Sequence, residues 1–110
     1  VKGSRVHLVG VAYKRNVGDT RESPAIDIAA LLASKGASIT FSDPHVAEMH
    51  VGSSTLGHSD LIRAASEADI AVILTDHDGV DYHRLLAAAA LVLDTRNALS
   101  GTSAPHLMRL

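Results

Sequence analysis

Residues 70–74 read Ile70-Ala71-Val72-Ile73-Leu74, five apolar residues with no polar position between them. A strand with one wet face alternates, whereas an unbroken apolar run marks a strand covered on both faces. That implies a parallel sheet sandwiched between helices, and the flanking sequence agrees. Upstream, Arg5-Val6-His7-Leu8-Val9-Gly10-Val11 is rich in β-branched residues and closed by Gly10, the pattern of a buried strand. Ser38 to Ser42, with Ile39 and Phe41, is a short strand ended by Asp43-Pro44. Downstream, Leu91-Val92-Leu93 is another, ended by Asp94-Thr95-Arg96-Asn97.

Helical patterns fill the intervals. Ser23-Pro24 opens the first, because Ser accepts from free N–H groups and Pro is tolerated at the first helical position. Ala25, Ile28, Ala29 and Leu32 then share one face, and Lys35-Gly36 supplies a cation and a residue able to take positive φ as the stop. Ser59 or Asp60 caps a second helix through Leu61, Ile62, Ala65 and Ala68, and Asp81 to Ala89 forms a third. Residues 45–58 show no clear period and are expected as loop, as is the tail from Ser100, with a terminal turn near 106–110. Strands alternating with helices over short connections give right-handed βαβ units, a parallel sheet with helices on both faces. Such sheets bind ligands beyond the carboxyl ends of their strands, where strand order reverses. With sheet order 2-1-3-4, the crevice lies between the ends of the first and third strands. The polar clusters at 13–21, Asp43, 75–78 and 94–97 fall at those ends.

Composition narrows the function classes. The 110 residues suit one domain, and with 46% hydrophobic and 20% charged residues the chain is not disordered. A net charge of -2 gives no footprint for nucleic acid or an anionic membrane, and no apolar run nears the roughly 20 residues of a spanning helix. With no cysteine there is no disulfide, thiolate zinc site or cysteine nucleophile. Asp76-His77-Asp78 has metal-like composition, but neighbours in one loop rarely converge on one ion, so no metal is expected. His7 lies inside a strand, where a satisfied core or sheet-edge role is expected rather than ligation. No G-x-S-x-G elbow supports Ser-His-Asp chemistry, and no catalytic residue is assigned within these 110 residues.

The loop after the first strand is not a glycine-rich phosphate cradle. Gly10 stands alone before Val11-Ala12-Tyr13, with neither G-x-G-x-x-G nor a Walker sequence. What it offers are the cations Lys14, Arg15 and Arg21, suited to phosphate or carboxylate. Pairing of those charges with Asp19 and Glu22 in a solvated loop fits the composition equally well.

The stretch Gly10-Val11-Ala12-Tyr13-Lys14-Arg15-Asn16-Val17-Gly18-Asp19-Thr20-Arg21-Glu22-Ser23-Pro24-Ala25 resembles the signature that opens the C-terminal domain of the UDP-glucose/GDP-mannose dehydrogenase family. Ser42-Asp43-Pro44, Ala71-Val72-Ile73-Leu74-Thr75 and Asp94-Thr95-Arg96-Asn97 follow in family order, so the resemblance spans nearly the whole chain. It implies a three-layer, Rossmann-like α/β domain that binds UDP-sugar within an NAD-dependent enzyme oxidising a sugar C6 alcohol to a carboxylate. It also implies substrate contacts by Tyr13, Lys14 and Arg96, and a cofactor contact by Arg21 across a domain cleft. NAD would be held mainly by an N-terminal domain, with a central dimerisation segment and the nucleophilic cysteine also upstream. Residues 1–110 would then be an excerpt of a longer, cytoplasmic, homo-oligomeric enzyme, consistent with a strand pattern that begins almost at residue 1. Tyr13 and the Arg21-Glu22-Ser23-Pro24-Ala25 run favour the branch acting on UDP-N-acetylhexosamines. A stand-alone nucleotide-sugar-binding or regulatory module is the alternative, and an inert flavodoxin-like interaction domain a third.

Overall fold

The computed structural model describes residues 3–12 and 23–110. β1 (Arg5–Val9) is followed by α1 (Pro24–Ser34), β2 (Ser38–Ser42), β3 (Glu48–Val51), β4 (Ser54–Gly57) and α2 (Leu61–Glu67). The chain then forms β5 (Ile70–Ile73), α3 (Tyr82–Ala88), β6 (Val92–Asp94) and β7 (Leu107–Arg109). The main sheet runs β2-β1-β5-β6-β7 with every pairing parallel, and β3 and β4 form a separate antiparallel hairpin. The chain steps from β1 outward to β2, then crosses back to the other side of β1 at β5. The switch point therefore lies between β1 and β5, the expected first-and-third-strand crevice.

Strand alternation sorts the core into two layers. Val6, Leu8 and Phe41 face α1 and the hairpin, packing with Ala25, Ala29, Met49 and Val51. Val9, Ala71, Ile73 and Val92 face α2 and α3, packing with Ala65, Tyr82 and Leu85. Ile70 and Val72 pack against the first layer while Ala71 and Ile73 are buried in the second, so the 70–74 run is covered on both faces.

The helix ends follow local chemistry. Ser23 caps α1, accepting from the Ala25 amide at 3.2 Å with Pro24 at the first position, and Gly36 takes φ 89° just past the Lys35 cap. Asp60 and Asp81 cap α2 and α3 through the amides of Arg63 and Arg84.

Two expectations are corrected. Residues 45–58 are not all loop: β3 and β4 turn through Gly52-Ser53, with Gly52 at φ 60°. Met49 and Val51 face inward while Glu48 and His50 face out, so the period is there but only four residues long. The tail is not merely a terminal turn either, because Leu107–Arg109 adds a fifth strand along β6. Three residues are too few for a legible period, and backbone pairing to β6 decides that segment.

Candidate functional site

Polar groups gather where β1, β2, β5 and β6 end. Gly10 leaves β1 at φ 79° with its Cα packed against the backbone of Thr75, where an added Cβ would lie 2.3 Å from the Thr75 oxygen. Only glycine tolerates both the conformation and the approach. The glycine is thus consumed in packing two strand ends together and does not open room for a phosphate.

The next dipeptide, Val11-Ala12, has its four backbone polar groups fixed by side chains. Asp43 Oδ2 accepts from the amides of Val11 (2.8 Å) and Ala12 (3.1 Å). The Ser23 hydroxyl donates to the Val11 carbonyl at 2.7 Å, and the Thr75 hydroxyl to the Ala12 carbonyl at 2.8 Å. Residues on either side of the stretch 13–22 therefore meet through the Ser23–Val11 bond. Tyr13, Lys14 and Arg21, expected at the site from the sequence, lie outside the described residues.

Beneath this root is a buried acid–imidazole pair. His77 Nε2 lies 2.8 Å from Asp43 Oδ2, and both side chains are fully enclosed. Because that oxygen already accepts two amide N–H groups, the imidazole is the donor. Asp43 Oδ1 accepts from the His45 amide at 2.8 Å, and the His45 ring leans on that of His77 with centroids 4.8 Å apart. The His77 amide in turn donates to the Tyr82 hydroxyl at 2.9 Å. Burial pushes the Tyr82 phenol up to about 12, keeping it a neutral donor toward the Thr75 carbonyl. His77 came to notice in the sequence as part of an Asp-His-Asp triplet, yet its partner is Asp43, 34 residues away. Composition alone carried no signal for that pairing.

Asp94, fully buried at the end of β6, shapes the last loop. Its Oδ1 accepts from the amides of Arg96 and Ala98 and its Oδ2 from that of Leu99, while Asn97 takes φ 58°. Arg96 itself is exposed, and its Nε donates to the Leu74 carbonyl at 2.8 Å. That bond lays the guanidinium over the end of β5, toward the switch point. Among the described residues no carboxylate lies within ion-pair distance of it. A cavity of about 350 Å³ opens at the same edge, lined by Gly10, Asp43, His58, Leu61, Val80 and Tyr82 among others.

His7 sits buried on the α2 side of β1, the core one of the two roles expected for it. The Ser42 hydroxyl donates to the Ser59 carbonyl at 2.6 Å, so it accepts from His7 Nε2 at 2.8 Å, and Nδ1 accepts from the Thr40 hydroxyl at 2.7 Å. Burial, with a smaller contribution from His58, lowers the His7 pKa to about 4, so the ring is neutral at neutral pH. Among the described residues no cluster of His, Asp or Glu has metal-binding geometry, and no buried polar side-chain atom lacks a partner.

Sheet order and edge chemistry define a doubly wound α/β domain whose polar groups converge at the switch point. Residues 7–101 match the UDP-glucose/GDP-mannose dehydrogenase family, UDP binding domain, and the chain belongs to that family. It is 36% identical over 78 residues to a UDP-N-acetyl-D-mannosamine dehydrogenase of Methanococcus maripaludis, covering 71% of this chain and 17% of the relative. It is 32% identical over 108 residues to a UDP-glucose 6-dehydrogenase of Bacillus subtilis, covering 91% and 23%. The solved UDP-N-acetyl-mannosamine dehydrogenase of Staphylococcus aureus superposes with TM-score 0.68 at 28% identity, over 99% of this chain and 26% of that one. A Pyrococcus horikoshii homologue of the fold, a UDP-D-ManNAc dehydrogenase, gives TM-score 0.74 at 23% identity over 96% and 25%. The chain thus spans about a quarter or less of these proteins.

Proposed function

We propose that this chain is the C-terminal, UDP-sugar-binding part of an NAD-dependent nucleotide-sugar 6-dehydrogenase, with Tyr13, Lys14 and Arg96 contacting the substrate. The observation that carries the reading is the placement of Arg96. Its guanidinium, without a carboxylate partner among the described residues, lies at the strand edge from which the Tyr13-Lys14 stretch departs. A UDP-sugar brings a dianionic pyrophosphate, and cations at the mouth of a parallel sheet suit it.

NAD, the oxidant of such an enzyme, has no cradle in the described residues, because the one glycine at the end of β1 is packed against Thr75. Arg21 is the residue of this chain assigned to the cofactor, reaching it across a cleft from a neighbouring domain. The chain has no cysteine, so a thioester step would use a residue outside it. Relatives named for UDP-N-acetyl-D-mannosamine and for UDP-glucose both match; Tyr13 and the 21–25 run support an N-acetylhexosamine.

The test is NAD reduction by the full-length gene product with UDP-N-acetylhexosamines and UDP-glucose. Arg21→Ala is expected to raise the KM for NAD by an amount corresponding to about 1.5–3 kcal/mol, the range for a charged hydrogen bond. The 110-residue chain alone is expected to give no turnover. An Arg21→Ala effect confined to the sugar-nucleotide KM, or turnover by the chain alone, contradicts the assignment.

A further inference from the structure

We infer that Asp94 is a positioning residue for the Arg96 guanidinium. The inference rests on the proposed function, since it concerns how one of the ligand contacts is aimed. Asp94 is fully buried at the end of β6, and both its carboxylate oxygens are spent on the loop that follows. Oδ1 accepts from the amides of Arg96 at 3.0 Å and Ala98 at 3.1 Å, and Oδ2 from that of Leu99 at 2.9 Å. The two amides on Oδ1 flank Asn97, which alone among the described non-glycine residues has a positive φ, 58°. A side chain keeps that backbone conformation where the surrounding bonds over-determine it. The loop is braced at both ends as well. The Thr95 amide and hydroxyl both donate to the Ile73 carbonyl, at 3.3 and 2.6 Å, and Arg109 donates to the carbonyls of Leu99 and Thr102.

Arg96 projects from this frame with two points fixed. Its amide is held by Asp94, and its Nε by the Leu74 carbonyl at 2.8 Å. Few side-chain rotamers satisfy both, so a ligand meets a guanidinium already in place. One of the five guanidinium N–H groups is spent on Leu74, and the two NH2 groups, which have no partner among the described residues, are left for an oxyanion. Asp94 is enclosed and acts through the backbone of Arg96. Its negative charge opposes an anionic ligand, so removing that charge alone would tighten UDP binding. Weaker binding without it must come from the lost aim of Arg96.

The experiment measures UDP binding by calorimetry on the full-length protein, on Asp94→Asn, on Arg96→Ala and on the double variant, at a temperature where circular dichroism shows each folded. Asn keeps one acceptor oxygen for Arg96 and Ala98 but turns an NH2 group toward the Leu99 amide, so the loop closes less firmly. Arg96→Ala is expected to weaken UDP by about tenfold or more, and Asp94→Asn by about fivefold or more. The effects are expected not to add: with Arg96 already replaced, Asp94→Asn changes affinity by less than about twofold. If Asp94→Asn does not fold, Asp94→Ser replaces it with the same expectations, since one hydroxyl cannot reach all three amides. Equal weakening by the Asp94 variant in both backgrounds overturns the inference, because a merely structural role gives that result. Unchanged affinity in that variant with Arg96 present overturns it too. If the unaltered protein does not bind UDP, or Arg96→Ala binds as tightly, the proposed function fails and the inference with it.

Discussion

His7 gives the fold one acid-sensitive side chain. Its neutral ring donates to Ser42 and accepts from Thr40, and its folded pKa is about 4 against 6.5 for the free side chain. The unfolded chain therefore takes up a proton as pH falls through 6.5, while the folded chain does not until about 4. Stability from this group is present above 6.5 and is lost as pH falls toward 4. Between pH 7 and pH 5 the loss attributable to His7 is expected to be about 2 kcal/mol. Urea denaturation of the unaltered protein and His7→Gln should show it as a difference in slope, and parallel pH profiles would refute it. Gly10 is the second critical residue. Gly10→Ala must bear a positive φ and a collision with the Thr75 carbonyl, an expected loss of about 2–4 kcal/mol. An alanine variant as stable as the parent would show that the strand ends can part freely. That His7 is a satisfied structural residue was legible because it sits within an apolar strand, and the structure decides for the core over the sheet edge. The Asp43–His77 pairing was not, because it depends on which strand ends become neighbours.

At the scale of elements, the two kinds of helix cap differ in what they hold. Ser23 caps α1 and also supplies the donor for the Val11 carbonyl, both in a buried setting. Ser23→Ala should therefore lose the cap, about 1 kcal/mol, and strand a buried carbonyl, a further 1–3 kcal/mol or so. Asp60→Ala at the exposed start of α2 should lose only the cap, about 1 kcal/mol. Equal losses in the two variants, read by urea denaturation, would mean the Ser23–Val11 bond contributes nothing. The caps were readable from sequence because capping is local: Ser23-Pro24, Asp60 and Asp81 stand where the helices begin. The β3–β4 hairpin escaped because Gly and Ser dominate residues 52–54 and mask an alternation only four residues long. Its signal was present in Gly52-Ser53, a two-residue turn between Met49/Val51 and Leu56. β7 left no comparable trace, since Met108 and Arg109 are exposed and the strand is ordered by pairing to β6 and by Arg109 donating to the Leu99 and Thr102 carbonyls.

At the scale of the whole molecule, a parallel sheet delivers its loops to one edge, which is why a reading of strand order alone located the crevice between β1 and β5. The final elements of that crevice were legible in unequal measure. Arg96 was expected to reach a ligand at this edge, and the structure shows its Nε on the Leu74 carbonyl at the end of β5, while Asp94, whose carboxylate organises the backbone around it, stood out only as a strand end. We propose that UDP binds at this edge, with Lys14 and Arg96 as its cations. The most direct measurement is a UDP titration of the protein followed by amide chemical shifts, repeated on Lys14→Ala. The account predicts saturable shifts at Val11, Ala12, Thr75 and Arg96, and a loss of roughly 1.5–3 kcal/mol in affinity for Lys14→Ala. No binding, or shifts centred on the opposite edge at Arg5, Ser38 and Asp69, would contradict it.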